Sequence, residues 1–214
     1  MSKSIKGTQT EKHLLASFAG ESQARNRYTY FSGAARKAGF EQIAEIFLET
    51  AENEKEHAKR FFRFLEGGDL EITASYPAGV IGDTAANLEA AANGEHLEWT
   101  TLYVNAEKTA EKEGFPEIAK QFKEISEIEA HHEKRYRKLL ANVREGKVFK
   151  KDVVMKWKCR NCGYIHESKE APQNCPACLH ARAPQRRRQL FATEAEFRVG
   201  ELPLAGNDPD LISE

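Results

Sequence analysis

Two pairs of residues carry much of the chemical information in this chain: Glu54 with His57, and Glu129 with His132. Each pair reads Glu-x-x-His. On an α-helix, residues three apart share a face and lie about 5–6 Å from each other. One side chain can then bridge two metal ions while the other caps one of them. A single such pair in a lysine-rich helix is a chance event. Here each is preceded by a further acid at matching distance: Glu21 stands 33 positions before Glu54, and Glu95 stands 34 before Glu129. Glu98 adds a fifth carboxylate. Carboxylate oxygen and imidazole nitrogen together suit a pair of divalent cations.

The second cluster is made of sulfur. Cys159-Arg-Asn-Cys162 and Cys175-Pro-Ala-Cys178 are two C-x-x-C knuckles, and they hold all four cysteines of the chain. Four thiolates so spaced form a tetrahedral site for iron or zinc, and spacing alone does not separate the two metals. Two disulfides are the poorer reading for a chain expected in the cytoplasm.

The elements that must position these groups are legible as periodicity. Helices are expected from about Thr10 to Ala38, Phe40 to Glu66, Thr84 to Glu113 and Pro116 to Arg144, with Thr10 and Thr84 as N-caps and Pro116 in a first turn. Gly39 and Gly114 mark very short turns, so each neighbouring pair of helices is antiparallel. The segment "GGDLEITASYPAGVIGD" is long enough to cross from one end of a bundle to the other. Short, long, short is the connection pattern of a ferritin-like four-helix bundle with one crossover. The two hairpins also read as a loose internal repeat. After Gly146 the composition turns to β-branched residues, aromatics and turn formers. The expected organisation is a bundle over 1–146, a small β-rich four-cysteine module over 150–190, and an extension over 191–214 that could hold one more strand.

Projected at 100° per residue, the acids fall on the inner faces. Glu54 fills a gap in the stripe Ile43, Phe47, Ala51, Ala58 and Phe61. Glu129 and His132 lie between Ile125 and Tyr136. Glu21 lies between Phe18 and Tyr28, and Glu95 and Glu98 between Leu88 and Leu102. Five inward carboxylates would cost about as much as a whole domain's stability of roughly 5–15 kcal/mol. Arg25 is the main basic residue near the seam, so two divalent ions are the expected compensation. His13, His96 and His131 fall off the seams. Tyr28 and Tyr103 read as packing residues that could also hydrogen-bond a ligand glutamate.

Charged residues make up 30% of the chain with a net charge of −1, which gives no electrostatic basis for binding nucleic acid or an anionic membrane. No apolar run approaches the roughly 18–20 residues of a membrane span. The "QRRRQ" run reads as a solvated charge run, or less readily as a docking patch for an acidic redox partner.

The segments "FAGESQARNRY", "ETAENEKEHAKRFFRFLEGGDLEI", "GEHLEW", "EIEAHHEKRY" and "KWKCRNCGYIHE" give the chain a resemblance to the rubrerythrin family, in the same order along the sequence. The resemblance implies a ferritin-like diiron bundle joined to a rubredoxin-like one-iron module, and reduction of hydrogen peroxide to water. It implies diiron ligands Glu21, Glu54, Glu95, Glu98, Glu129 and His132, with His57 replacing Glu98 when one iron moves on reduction. Zinc in either site of a purified sample stays open. Glu98 or a nearby tyrosine would deliver protons. It further implies Cys159, Cys162, Cys175 and Cys178 around one iron, a homodimer, and an external electron donor such as rubredoxin or an NAD(P)H-dependent reductase. Rival readings are a ferroxidase or iron store, and a zinc ribbon that binds a partner. One residue departs from the usual knuckle pattern: Gly163 follows Cys162, but Leu179 follows Cys178, where a positive φ would cost a side chain about 1–2 kcal/mol.

Overall fold

The structure, a computed structural model, describes residues 3–182 and 191–193. Five α-helices run in order: α1 (Gln9–Lys37), α2 (Glu41–Phe62), α3 (Thr84–Leu97), α4 (Tyr103–Lys112) and α5 (Pro116–Arg144). A three-stranded sheet follows: β1 (Lys150–Cys159), β2 (Ile165–Glu170) and β3 (Phe191–Thr193). The α1–α2 hairpin faces a second hairpin in which α3 and α4 pack against α5. This is the ferritin-like bundle, with residues 65–83 as its long crossover.

The two hairpin turns share one device. At the first, the Gly39 N–H donates to Arg36 O and the Phe40 N–H reaches back to Ala35 O at 2.9 Å. At the second, Gly114 donates to Glu111 O and Phe115 to Ala110 O at 2.8 Å. Both glycines take positive φ, 86° and 79°, which a residue with a Cβ adopts only at a cost. The expected N-caps shift slightly. Thr8 caps α1 by accepting from the Glu11 N–H, and Asp83 caps α3 by accepting from the Ala86 N–H. Thr10 lies inside the helix, where its N–H and hydroxyl both donate to Glu113 at the end of α4. Thr84 begins its helix instead of capping it.

The third expected helix is not continuous. Residues Glu98–Leu102 form a π-helical turn, in which the Tyr103 N–H donates to the Glu98 carbonyl five residues back. The wider turn rotates everything after it. Leu102, expected on the inner stripe, is exposed, and Tyr103 is buried in its place. Such turns recur where a helix must present an irregular side chain.

The bundle has two apolar halves. One holds Tyr28, Phe47, Leu88, Ala91 and Tyr136; the other holds Leu14, Phe61, Tyr103, Phe122 and Ile125. The buried acids lie between them. In the small module, β1 is central and antiparallel to both β2 and β3. Among the described residues its core holds Trp157, Cys159, Ala171 and Cys175, with Phe149, Met155, Tyr164 and Cys178 packed against them, and the Trp157 indole donates to Ser168 O at 2.8 Å. Arg160 ties the module to the bundle, reaching Glu45 at 3.2 Å beside the first hairpin turn. The "QRRRQ" run and residues 194–214 lie outside the described residues.

Candidate metal centres

Glu21, Glu54, Glu95, Glu129, His57 and His132 are all buried at mid-bundle. Their ligand atoms form two overlapping groups: Glu21, Glu54, His57 and Glu129, and Glu54, Glu95, Glu129 and His132. Glu54 belongs to both because it turns one oxygen each way. Its Oε2 lies 3.0 Å from His57 Nδ1 and its Oε1 3.3 Å from His132 Nδ1. Glu129 does the same, with Oε1 2.8 Å from His57 Nδ1 and Oε2 2.7 Å from His132 Nδ1. Glu21 stands on the His57 side at 3.7 Å and Glu95 on the His132 side at 3.9 Å. The arrangement is two bridging carboxylates, two flanking ones and an imidazole at each end.

A test of fit is whether these groups satisfy one another without an ion. Glu21 Oε2, both Glu54 oxygens, His57 Nδ1, Glu95 Oε2 and Glu129 Oε1 are buried without a hydrogen-bond partner. His57 Nδ1 comes within 2.8 Å of Glu129 Oε1, yet not with the geometry of a hydrogen bond. The atoms converge on shared points in space instead of on each other. Unpaired buried carboxylates cost several kcal/mol each, and two divalent cations would remove that cost. Arg25 does not supply the charge, because it turns to the exposed Glu52 at 3.8 Å.

The electrostatics follow from the crowding. Burial, and then the charges of Glu129, Glu54 and Glu98, push the Glu21 carboxyl well above the usual range. Burial and then Glu54, Glu129 and Glu98 do the same to Glu95. Burial also opposes charge on the histidines, but the neighbouring carboxylates override it and raise His57 to about 10 and His132 to about 9. For Glu129, burial works upward and the two histidines override it, bringing it to about 2.

Two tyrosines brace the flanking acids. The Tyr103 hydroxyl donates to Glu21 Oε1 at 2.5 Å, and the Tyr28 hydroxyl to Glu95 Oε1 at 2.6 Å. Each comes from the opposite hairpin to the acid it serves. Glu98 stands apart from both groups of ligand atoms. It is half-buried on the π turn and borders a cavity on the outer side of the cluster. Burial and the charges of Glu129 and Glu54 raise its carboxyl well above the ordinary range, against the pull of Arg27. The shift favours the protonated form of this carboxyl more than in an ordinary exposed glutamate.

The four cysteines meet at the tips of their knuckles. Cys159 Sγ lies 3.8 Å from Cys178 Sγ, and Cys162 Sγ 3.7 Å from Cys175 Sγ. A disulfide would need about 2.05 Å. An ion bonded at about 2.3 Å to four tetrahedral sulfurs would hold them about 3.8 Å apart. The knuckles repeat each other: Gly163 donates to Cys159 O and Leu179 to Cys175 O, at 2.8 and 2.9 Å. Leu179 does take φ of 59° and leaves its side chain in solvent. Burial raises Cys159 to about 12, whereas the His180 N–H and then Asn161 bring Cys178 down to about 6.

Comparison with known proteins bears on both centres. The rubrerythrin family model matches residues 12–140, and the rubrerythrin rubredoxin-like domain matches 157–183. Rubrerythrin of Porphyromonas gingivalis is 63% identical over 183 residues, covering 86% of this chain and 92% of its own. The chain belongs to the rubrerythrin family. Rubrerythrin of Nitratidesulfovibrio vulgaris is 57% identical, with 85% and 95% of the two chains covered. The structure of fully reduced, all-ferrous nigerythrin superposes with a TM-score of 0.57 at 28% identity, over 89% of this chain and 92% of that one.

Within this rubrerythrin bundle, one group of residues escaped the sequence reading. Glu133, next to His132, is buried and gathers three donors. Trp99 Nε1 reaches its Oε2 at 2.6 Å, His96 Nδ1 lies 3.0 Å from the same oxygen, and Arg137 Nε reaches Oε1 at 2.5 Å. Ser126 also donates to the Trp99 carbonyl at 3.2 Å. The π turn that carries Glu98 is thus clamped to α5. In sequence, Glu133 and Arg137 look like an ordinary solvated i,i+4 pair, and Trp99 alone carries no signal. Among the described residues, no helix is long and apolar enough to cross a membrane.

Proposed function

We propose that this rubrerythrin-family chain is a peroxidase that reduces hydrogen peroxide to water. The observation that carries the reading is the paired site with two bridging carboxylates, joined in one chain to a four-sulfur site. Iron held at the two centres would supply the electrons, two to the O–O bond at the carboxylate pair, restored one at a time through the four-sulfur site. The all-ferrous state described for nigerythrin supports iron over zinc by analogy.

The chain's own groups do the rest. Glu54 and Glu129 fix the spacing of the pair. Tyr28 and Tyr103 hold the flanking carboxylates in place and keep their outer oxygens paired. Glu98, its carboxyl raised by burial and by the neighbouring acids and bordering the cavity, is placed to give a proton to a leaving oxygen. His57 lies among the ligand atoms and Glu98 outside them, the arrangement expected of the reduced state. A homodimer in the cytoplasm, fed by rubredoxin or an NAD(P)H-dependent reductase, completes the reading.

The test is anaerobic reduction, addition of one equivalent of peroxide, and spectroscopy of both iron centres. The expected result is loss of the ferrous pair within mixing time, followed by oxidation of the four-sulfur iron. A four-sulfur iron that stays reduced while the pair is oxidised would remove the link between the centres. Assembly into a hollow shell would favour iron storage instead.

A further inference from the structure

Glu98 faces a cavity of about 440 Å³ between α1, the π turn and the crossover. Glu98 and Tyr103 form its inner end. Ala16 and Gly20 of α1 line one wall, and Leu97 and Leu102 the other. The crossover covers it: the Tyr76 hydroxyl donates to Ala16 O at 2.8 Å, and its ring lies over Gly20, where a Cβ would stand 3.7 Å from Cε1. The lining is mainly carbon, with Arg27 and Gln23 joined by a 2.6 Å hydrogen bond at one edge.

This space does not match the small peroxide. A water molecule takes about 30 Å³ of liquid, and hydrogen peroxide is only slightly larger. A route for it would need no apolar chamber of this size. Chambers of a few hundred Å³ walled by carbon, with a few polar groups at one end, suit small organic ligands.

We propose that this cavity takes the organic half of an alkyl hydroperoxide bearing a compact apolar group, and presents its O–OH end to Glu98. The proposal rests on the peroxidase reading above. The reaction is ROOH + 2H⁺ + 2e⁻ → ROH + H₂O. The O–O bond breaks, the terminal oxygen leaves as water, and the inner oxygen stays on carbon as the alcohol. The two electrons are those of the reduced iron pair, and the protons come from solvent. Leu97 and Leu102, both exposed at the mouth, gain apolar contact when the group enters.

The experiment has two arms on the full-length, iron-loaded chain. In the first, 2-phenyl-2-propanol, the alcohol product of cumene hydroperoxide, is titrated by calorimetry. One molecule should bind per chain, and Ala16→Phe, which fills the chamber, should weaken binding about tenfold or more. In the second, Ala16→Phe should lose about tenfold more kcat/KM with cumene hydroperoxide than with hydrogen peroxide. Should Ala16→Phe fail to fold, Ser17→Leu on the same wall serves. If hydrogen peroxide is reduced but the alcohol does not bind, the cavity assignment falls and the peroxidase reading stands. A second copy of the chain sealing the mouth would produce that result. If the alcohol binds but neither peroxide is reduced, the peroxidase reading falls and takes the substrate assignment with it.

Discussion

Loading metal into the six-residue cluster should expel protons, and their number follows from the geometry. Burial favours neutral rings for His57 and His132, but the carboxylates around them raise them to about 10 and about 9. Both are therefore charged at pH 7 in the metal-free chain. A metal takes the neutral imidazole and the ionised carboxylate, so each histidine gives up one proton. Glu129, held at about 2, is already ionised and gives none. Glu21 and Glu95, raised by burial and then by their neighbours, act in the same direction. Loading both positions at pH 7 then releases at least about two protons. Each proton is worth about 1.36 kcal/mol per pH unit. The combined affinity should rise at least about 100-fold per unit near pH 7. Anaerobic calorimetric titration of the chelated chain in two buffers of different ionisation enthalpy counts the protons directly. Release of fewer than one proton, with affinity flat from pH 6 to 8, would refute the reasoning. It would mean that the histidines are neutral without metal and that the acids find partners elsewhere.

Three further outcomes are expected. In the metal-free chain, His57 and His132 have folded-state values above 6.5, so their stabilisation is full below about pH 6.5 and is lost as pH rises through about 9 and 10. The melting temperature of chelated protein should fall over that window, with up to about 1.4 kcal/mol lost per histidine per unit; a flat profile would contradict it. Tyr103→Phe and Tyr28→Phe each strip a donor from a buried carboxylate, and each should destabilise the loaded chain by about 1.5–3 kcal/mol in denaturant melts. Leu179→Gly relieves a left-handed backbone under an exposed side chain. It should stabilise the small module by about 1 kcal/mol and slow loss of the four-sulfur metal to a chelator.

The acids and histidines of the cluster were legible because each interrupts an apolar stripe, and a stripe has a period. The knuckles were legible because their spacing is local. What stayed hidden depends on a backbone bond or on contacts between distant segments. The π turn changes one hydrogen bond from four residues back to five, and no composition marks it. Its effect is large: it brings Tyr103 inward onto Glu21, turns Leu102 outward, and leaves Glu98 at the edge of the cluster. The Trp99–Glu133 clamp joins residues 34 positions apart, and neither is unusual on its own helix. The misplaced caps have a simpler cause. Thr8 and Asp83 lie just ahead of Thr10 and Thr84, and all four are acceptable caps by type. Only the direction of the first helical N–H groups chooses between them.

The two-fold character of the cluster explains why it takes a pair of ions and not one. Each hairpin contributes one bridging acid, one flanking acid, one imidazole and one tyrosine: Glu54, Glu21, His57 and Tyr28 from the first, and Glu129, Glu95, His132 and Tyr103 from the second. Neither hairpin can complete a four-ligand group alone, because Glu54 and Glu129 are needed on both sides. Each tyrosine crosses to brace the other hairpin's acid. The pair of sites therefore forms only when the hairpins dock, and the ions in turn would hold the docked hairpins together. Glu98 breaks this symmetry. It has no counterpart on α1, it rides on the π turn, and it borders the cavity covered by the crossover. The symmetric part of the site is suited to holding two ions, and the asymmetric part to admitting a substrate from one side.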